Sequence, residues 1–345
     1  MQNKHTTRRT RRKKLKKRRI LALVLIPILL VLLAGGIYAY FLFNKASNVL
    51  SDSYDGTTNE RGVNPAKDNV SVLFMGVDDS EVRNNSTGSR TDALMLATFN
   101  DKDKTVKLLS IPRDSYVYIP GKDKYSKITH AHAYGGAKYT IDTVEEMLDI
   151  PVDYYVKMNF NAFVDVIDAL GGIEVEVPYT FSEQNSSDKK NAITLEKGLQ
   201  TLDGEEALAL ARTRKRDNDI ERGKRQQEIL KAIAAKATEL SSFTKYADVI
   251  EGIGKNMTTN MTFKEMKSFT SYVLGGKGLE IENVNLEGAD DYINGTYYYR
   301  LDDEVLEAVK DELKVHLGLK DDTQSNGTKQ TTGNNGELEN TTTVE

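Results

Sequence analysis

Residues Ile20–Phe43 read ILALVLIPILLVLLAGGIYAYFLF, 24 positions without a charged or amide side chain. As a helix rising ~1.5 Å per residue, the run reaches ~36 Å, more than the ~30 Å hydrocarbon core of a bilayer. That length argues against a helix buried in a soluble core. Pro27 and the Gly35-Gly36 pair are tolerated in a membrane helix, and Tyr38 and Tyr40 suit its interfacial end. A cleaved signal peptide normally has ~7–15 apolar residues before a small-x-small site. This run is longer and ends in Phe-Leu-Phe-Asn-Lys, a poor cleavage site, so the sequence predicts an uncleaved anchor. The cluster RRTRRKKLKKRR (Arg8–Arg19) directly before it belongs on the cytoplasmic side. Residues 1–19 are therefore expected to be a basic cytoplasmic head, 20–43 a transmembrane helix, and everything after it extracellular. A nucleic-acid patch is the alternative for the head, but a basic run abutting a span is a topology signal.

Charge divides the chain the same way. Overall, 47 Lys+Arg oppose 51 Asp+Glu, a net of −4. Eleven of the bases and none of the acids lie in residues 1–19; from Ala46 onward 35 bases face all 51 acids, a net of −16. With no cysteine, the chain has no disulfide framework, thiolate metal site or thiol nucleophile. Four histidines make a multi-His metal site improbable, while 39% apolar content with 17 Tyr and 10 Phe supports a real core.

Residues 44–68 are polar and read as a stalk, 69–320 as the folded domain, and the Thr/Asn/Gly-rich 321–345 as a disordered tail. Within the domain, Val70–Met75 is a nearly continuous apolar run, as in a strand buried on both faces. Ala93–Phe99 and Thr105–Ile111 follow as a hairpin about a polar turn. Further strands are expected at Tyr154–Met158, Ile173–Val177, Leu279–Leu286 and Tyr297–Leu301. Helices are expected at Lys138–Leu148, Asn161–Leu170 (stopped by Gly171-Gly172), Asp203–Arg212 behind a capping box, Glu221–Leu240, Thr262–Leu274 and Asp303–Leu317. Strands interleaved with helices predict a three-layer α/β domain, a central mixed β-sheet flanked by helices, preceded by one transmembrane helix.

Charges stand where a core would be expected. Asp78 and Asp79 lie just past the first strand, Arg90 and Asp92 enter the second, and Arg113 and Asp114 end the third. Carboxyl ends of strands in open α/β sheets favour ligands. The stretch Ala211–Gln227 adds more. Stepping back by helical spacing from Leu230 reaches Gln226 and then Arg222, so both extend the inward stripe. An inward guanidinium needs an anionic partner. Asp217 or Asp219 would make a structural ion pair; a bound anion at the helix N-terminus is the alternative. Arg212 and Arg214 would share a face if the chain between them is extended. Arginines beside Asp78 and Asp92 suit a phosphoryl-transfer or pyrophosphate site with a hard cation such as Mg²⁺ or Mn²⁺. No P-loop, GxSxG or HExxH is present.

The motifs VLFMGVDDS (Val72–Ser80), SRTDALML (Ser89–Leu96), LLSIPRDSYV (Leu108–Val117), KITHAHAYGG (Lys127–Gly136), VDVIDALGGIEVEVP (Val164–Pro178) and LDGEEALALARTRKRDNDIERGKRQQ (Leu202–Gln227) resemble, in order, the LytR–CpsA–Psr family of bacterial cell-envelope proteins. The resemblance spans roughly residues 69–233. It implies transfer of a phosphate-linked glycopolymer (wall teichoic acid or capsule) from an undecaprenyl-pyrophosphate-type carrier to peptidoglycan, in an α/β domain with an apolar lipid tunnel, on the outer side of the cell membrane of a Gram-positive-type bacterium. By match, Asp78 and Asp92 correspond to the Mg²⁺-associated acids. Arg90, Arg113, Arg212, Arg214, Arg222 and Gln226 correspond to the pyrophosphate-binding residues. Of these, Asp92, Arg113, Arg212 and Arg214 are the expected catalytic set, with Asp92 the candidate proton acceptor. Phe163, Val164 and Ile167 are candidates for lining the tunnel, against ordinary core packing. Two rival functions share these features: a membrane-tethered transcriptional regulator, disfavoured by the acidic outer domain, and a lipid-pyrophosphate hydrolase using water at the same site. No nucleic-acid partner is expected.

Overall fold

The computed structural model describes residues 36–77, 88–216, 218–237, 256–269, 271–272 and 280–321. Most of the expected membrane span, the basic head, Asp78, Asp79, Asp217 and the tail beyond 321 lie outside the described residues. Among the described residues no helix is long and apolar enough to cross a membrane.

Six strands form the central sheet: β1 (Val70–Val77), β2 (Thr91–Asn100), β3 (Thr105–Ser110), β4 (Tyr154–Asn159), β5 (Met257–Thr259) and β6 (Glu280–Asn285), in the order β5-β4-β1-β2-β3-β6. β1 pairs parallel with β4 and antiparallel with β2. β3 is antiparallel to β2 and parallel to β6. The sheet is mixed, as the hairpin demanded. Its tight turn ends at Lys104, in the left-handed region at φ 57°.

Period-two alternation gives each central strand two apolar faces. On one face Leu73, Met75, Leu94, Leu96 and Leu109 pack against helices α1 (Thr129–Leu148) and α5 (Asp303–His316) through Val144, Leu148, Val309 and Leu313. The opposite face, with Val72, Phe74, Phe99 and Leu108, meets Leu230, Phe269 and Tyr272. Leu230 belongs to α4 (Asp219–Ala237). These are the three layers. α1 starts nine residues before the expected Lys138, across a break at Gly135-Gly136; Gly136 sits at φ 66°, which a β-carbon disfavours.

A second cluster packs α2 (Phe160–Leu170) and α3 (Gly204–Arg212) on the antiparallel pair of strands Ile173–Val177 and Gly198–Leu202. Asn159 caps α2, and the capping box of α3 is closed by Asp203 and Glu206. At Gly204 a β-carbon would lie 2.4 Å from the carbonyl oxygen of Val164, so only glycine lets α2 and α3 approach this closely.

Residues 44–68 are not a stalk. A helix over residues 36–52 buries Ala46 and Leu50, and Tyr54 bridges to Thr259 at the sheet edge. Some of the polar groups of this segment serve partners in the domain. Arg61 Nε donates to Asp153 Oδ1 at 2.7 Å, the Tyr154 hydroxyl donates to the Val63 carbonyl at 2.8 Å, and the Tyr155 hydroxyl donates to Asp55.

Candidate active site

Beyond the ends of β1, β2 and β4, between the sheet, α2 and α4, lies a cavity of about 470 Å³. Its two ends differ in chemistry. Phe74, Met95, Met158, Phe163, Val166, Leu208, Ile229, Leu230 and Ile233 make an apolar wall, while Asp92, Arg113, Arg212, Arg214, Arg222 and Gln226 line the other part. Six of the expected site residues are thus gathered from β2, the end of β3, the α3–α4 connection and α4.

Local structure explains each placement. Thr213, which ends α3, is extended (φ −60°, ψ 140°) and buried, so Arg212 and Arg214 on either side both reach the cavity. Arg222 and Gln226 occupy the inward face of α4, one turn apart, as helical spacing requires. Gly223 lets that helix approach the sheet: a β-carbon there would lie 2.4 Å from Ser110 Oγ. Gln226 Nε2 donates to the Ala211 carbonyl at 3.1 Å, and Gln227 Nε2 to the carbonyls of Leu108 at 2.8 Å and Val284 at 3.1 Å, pinning α4 to α3 and to the sheet.

Arg113 is ion-paired with Asp92 and lies 3.6 Å from Asp114, and Asp219 stands 3.4 Å from both Arg214 Nη1 and Arg222 Nη1. Arg212 lies 3.6 Å from Asp188 and 4.8 Å over the Phe160 ring. Four guanidiniums and Lys127 thus meet four carboxylates, Asp92, Asp114, Asp188 and Asp219, and Arg113 Nε, Arg212 Nη1 and Arg222 Nε are buried without a hydrogen-bond partner among the described residues. Burial, aided by the like charges of Arg214 and Arg113, pulls the Arg222 guanidinium down from 12.5 to about 10; Asp219 opposes the shift. It remains charged at neutral pH. Asp219 thus supplies the structural ion pair expected from sequence.

The other expectations fare differently. Arg90 is exposed and outside the cavity lining; its charge falls on His130, whose pKa is lowered chiefly by burial and then by Arg90. Asp78 lies outside the described residues. Of the tunnel candidates, Phe163 lines the wall, whereas Ile167 is fully buried in the second core cluster and Val164 packs its backbone against Gly204. The cavity face of α2 is Phe160, Phe163 and Val166, three residues apart; Val164 and Ile167 are rotated onto the α3 side. Sequence reasoning missed Asp188 as a partner for Arg212, and Met95, Met158 and Leu230 as wall residues. Their apolar character was visible, but not which face the cavity would open on.

A cavity that pairs clustered guanidiniums with an apolar wall defines a protein that holds an anionic headgroup bearing a long apolar tail. The LytR_cpsA_psr family model matches residues 37–315, and the chain belongs to that family. It is 44% identical over 298 residues to the polyisoprenyl-teichoic acid–peptidoglycan teichoic acid transferase TagT of Bacillus subtilis, covering 84% of this chain and 92% of the relative. It is 40% identical over 294 residues to the uncharacterized protein SAOUHSC_00997 of Staphylococcus aureus, covering 82% and 72%. Among solved structures, TagT bound to LIIa-WTA superposes with a TM-score of 0.63 at 44% identity, covering 76% of this chain and 99% of that one. TagT with bound octaprenyl pyrophosphate lipid superposes at 0.60 with 41% identity, covering the same shares.

Proposed function

We propose that this protein is a transferase that moves a phosphate-linked glycopolymer, of wall teichoic acid or capsule type, from an undecaprenyl-pyrophosphate-type carrier to peptidoglycan. The observation that carries the reading is the two-part cavity: Arg113, Arg212, Arg214 and Arg222 line the same cavity as an apolar wall. A diphosphate would satisfy the first and a polyprenyl chain the second. The relatives named transferases, and the relative with octaprenyl pyrophosphate, support the same assignment.

In the reaction, a hydroxyl oxygen of the acceptor glycan attacks the phosphorus that carries the polymer. A new P–O bond forms, the P–O–P anhydride bond breaks, and the polyprenyl monophosphate leaves. Arg113, Arg212, Arg214 and Arg222 neutralise charge on the phosphoryl oxygens and hold them in line. The hydroxyl proton passes to Asp92, whose carboxylate lines the cavity beside Arg113. No group of three or more Asp, Glu or His forms a ready metal cage among the described residues. A carboxylate oxygen facing a phosphate pocket nevertheless fits Mg²⁺ or Mn²⁺, which take one or two protein carboxylates and complete their shell with phosphates and water. Asp92 and Asp78 would hold the ion, and it would supply further charge neutralisation. The apolar run at residues 20–43 would anchor the chain in the cell membrane with the domain outside.

The test uses the full chain in proteoliposomes with labelled lipid-linked polymer, divalent cation and purified wall sacculi. Label fixed to the sacculi and lipid monophosphate released are expected. Free polymer phosphate without fixed label would overturn transfer in favour of hydrolysis. Protection of the 69–320 domain from protease on intact cells would overturn its extracellular placement.

A further inference from the structure

Near Arg113, two hairpins outside the central sheet carry tyrosines in two groups, Tyr116, Tyr118, Tyr125 and Tyr298, and Tyr292 with Tyr297. Tyr116–Ile119 pairs with Lys124–Lys127, and Gly288–Ile293 pairs with Thr296–Leu301. The rings follow one another in contact: Tyr118 to Tyr125 at 5.4 Å, Tyr125 to Tyr116 at 5.3 Å, and Tyr116 to Tyr298 at 4.9 Å between centroids. Lys127 Nζ then stands 5.7 Å from the Tyr298 ring and 5.4 Å from that of Tyr297, which meets Tyr292 at 5.6 Å. Tyr125 is 60% exposed and Tyr292 69%.

We propose that this tyrosine series is the acceptor subsite, taking the glycan strand of peptidoglycan; the assignment rests on the transfer reading above. Its position supports this. Asp114, next to Arg113, accepts Lys127 Nζ at 2.8 Å, its carbonyl accepts the Tyr299 N–H at 2.9 Å, and Ser115 bridges to Tyr299. Tyr116 therefore stands three residues along the chain from a guanidinium of the reaction site. A sugar seated on it would present hydroxyls toward that site.

The chemistry favours sugar rings over the anionic polymer of the donor. Tyr side chains join a broad apolar face to a polar edge, which matches a pyranose with its C–H face and rim of hydroxyls. The polar groups here are balanced. Lys127 is paired with Asp114 and Arg300 with Asp291 at 2.7 Å. The Tyr118 hydroxyl donates to Asp123 at 2.6 Å and the Tyr297 hydroxyl to Asp290 at 3.0 Å, leaving carboxylates to accept from sugar hydroxyls. These carboxylates are matched in number by Lys122, Lys124, Lys127 and Arg300, so the face carries no net charge to draw a polyanion. Amino-sugar rings would not be repelled, and the carboxylates of peptide stems find Lys122 and Lys124 at the outer end, over the Tyr134 ring.

The test is cosedimentation of the full chain in detergent with sacculi stripped of teichoic acid, using the double variant Tyr125→Leu/Tyr292→Leu. Both positions are exposed, so the melting temperature should hold. Loss of two stacking rings should weaken sacculus binding, and raise KM for the acceptor, roughly tenfold. Affinity for polyprenyl diphosphate should be unchanged. Tyr125→Trp, which keeps an aromatic face, should restore binding. Unchanged sacculus binding in the double variant would overturn the assignment. So would selective loss of binding to soluble teichoic acid polymer, or loss of self-association alone. Wild-type protein that sediments with sacculi yet transfers nothing would sink the transfer reading and leave the subsite standing. Normal transfer with an unaltered acceptor KM in the variant would do the reverse.

Discussion

Arg222 gives the sharpest discrimination between a ligand site and a structural ion-pair network. Its residue is 5% exposed, its single carboxylate partner at 3.4 Å is shared with Arg214, and its Nε has no partner among the described residues. A guanidinium held at about 10 instead of 12.5 carries its charge into the fold at a cost on the order of 3 kcal/mol. Arg222→Gln removes that charge and keeps a polar group, while Arg214 retains Asp219. Part of the gain is lost with the packing of the longer side chain, so the ligand-free protein should become more stable by about 1–2 kcal/mol, a rise in Tm of roughly 2–8 °C. Donor handling moves the other way. One charge-assisted contact to the reacting diphosphate is worth ~2–4 kcal/mol, so transfer should fall between roughly thirtyfold and a thousandfold. Thermal melts and the transfer assay on the same preparation therefore diverge. A drop in stability of ~3–5 kcal/mol with a proportionate activity loss would refute the reasoning, because that is the signature of a buried network with one member removed.

Three further outcomes follow from particular contacts. Phe163→Glu places a charge on the cavity wall, so affinity for polyprenyl diphosphate should fall at least tenfold while inorganic pyrophosphate still binds; Ile167→Ala, in the core behind it, should cost ~2–5 kcal/mol of stability without changing lipid affinity, both by calorimetry. Arg61→Ala leaves Asp153, 2% exposed, without its bidentate partner, and chemical denaturation should show a loss of about 3 kcal/mol; a true stalk would lose nothing. His316 is 7% exposed and hydrogen-bonded at both nitrogens by Thr98 and Thr105, and burial, then Lys107, pushes it from 6.5 to about 4. The folded state prefers the neutral ring, so the unfolded chain binds the extra proton between those values. Stability should drop as pH falls from 6.5 to about 4, by ~2–3 kcal/mol more in the wild type than in His316→Gln.

Period and chemistry were legible along the chain because they are local. Continuous apolar character marked β1 as buried on both faces, the polar turn made β2 and β3 a hairpin, and the capping box opened α3 at the residue expected. Helical phase alone put Arg222 and Gln226 on the inward face of α4. Polarity, by contrast, misled for residues 44–68, since sequence shows that Arg61 and Asp55 are charged but not that Asp153 and Tyr155 wait for them about a hundred positions away. For α2, composition could not choose between two apolar faces; the close approach allowed by Gly204 turned Ile167 into the core and left Phe163 to the cavity. The tyrosine series belongs wholly to tertiary structure. Tyr116 and Tyr298 are ordinary strand residues in sequence; the bridge between Ser115 and Tyr299, with the Tyr299 N–H donating to the Asp114 carbonyl, joins their hairpins beside Arg113. Local periodicity determines which elements form and which residues turn inward; the pairing of distant segments, set by packing and long-range hydrogen bonds, decides what those residues meet.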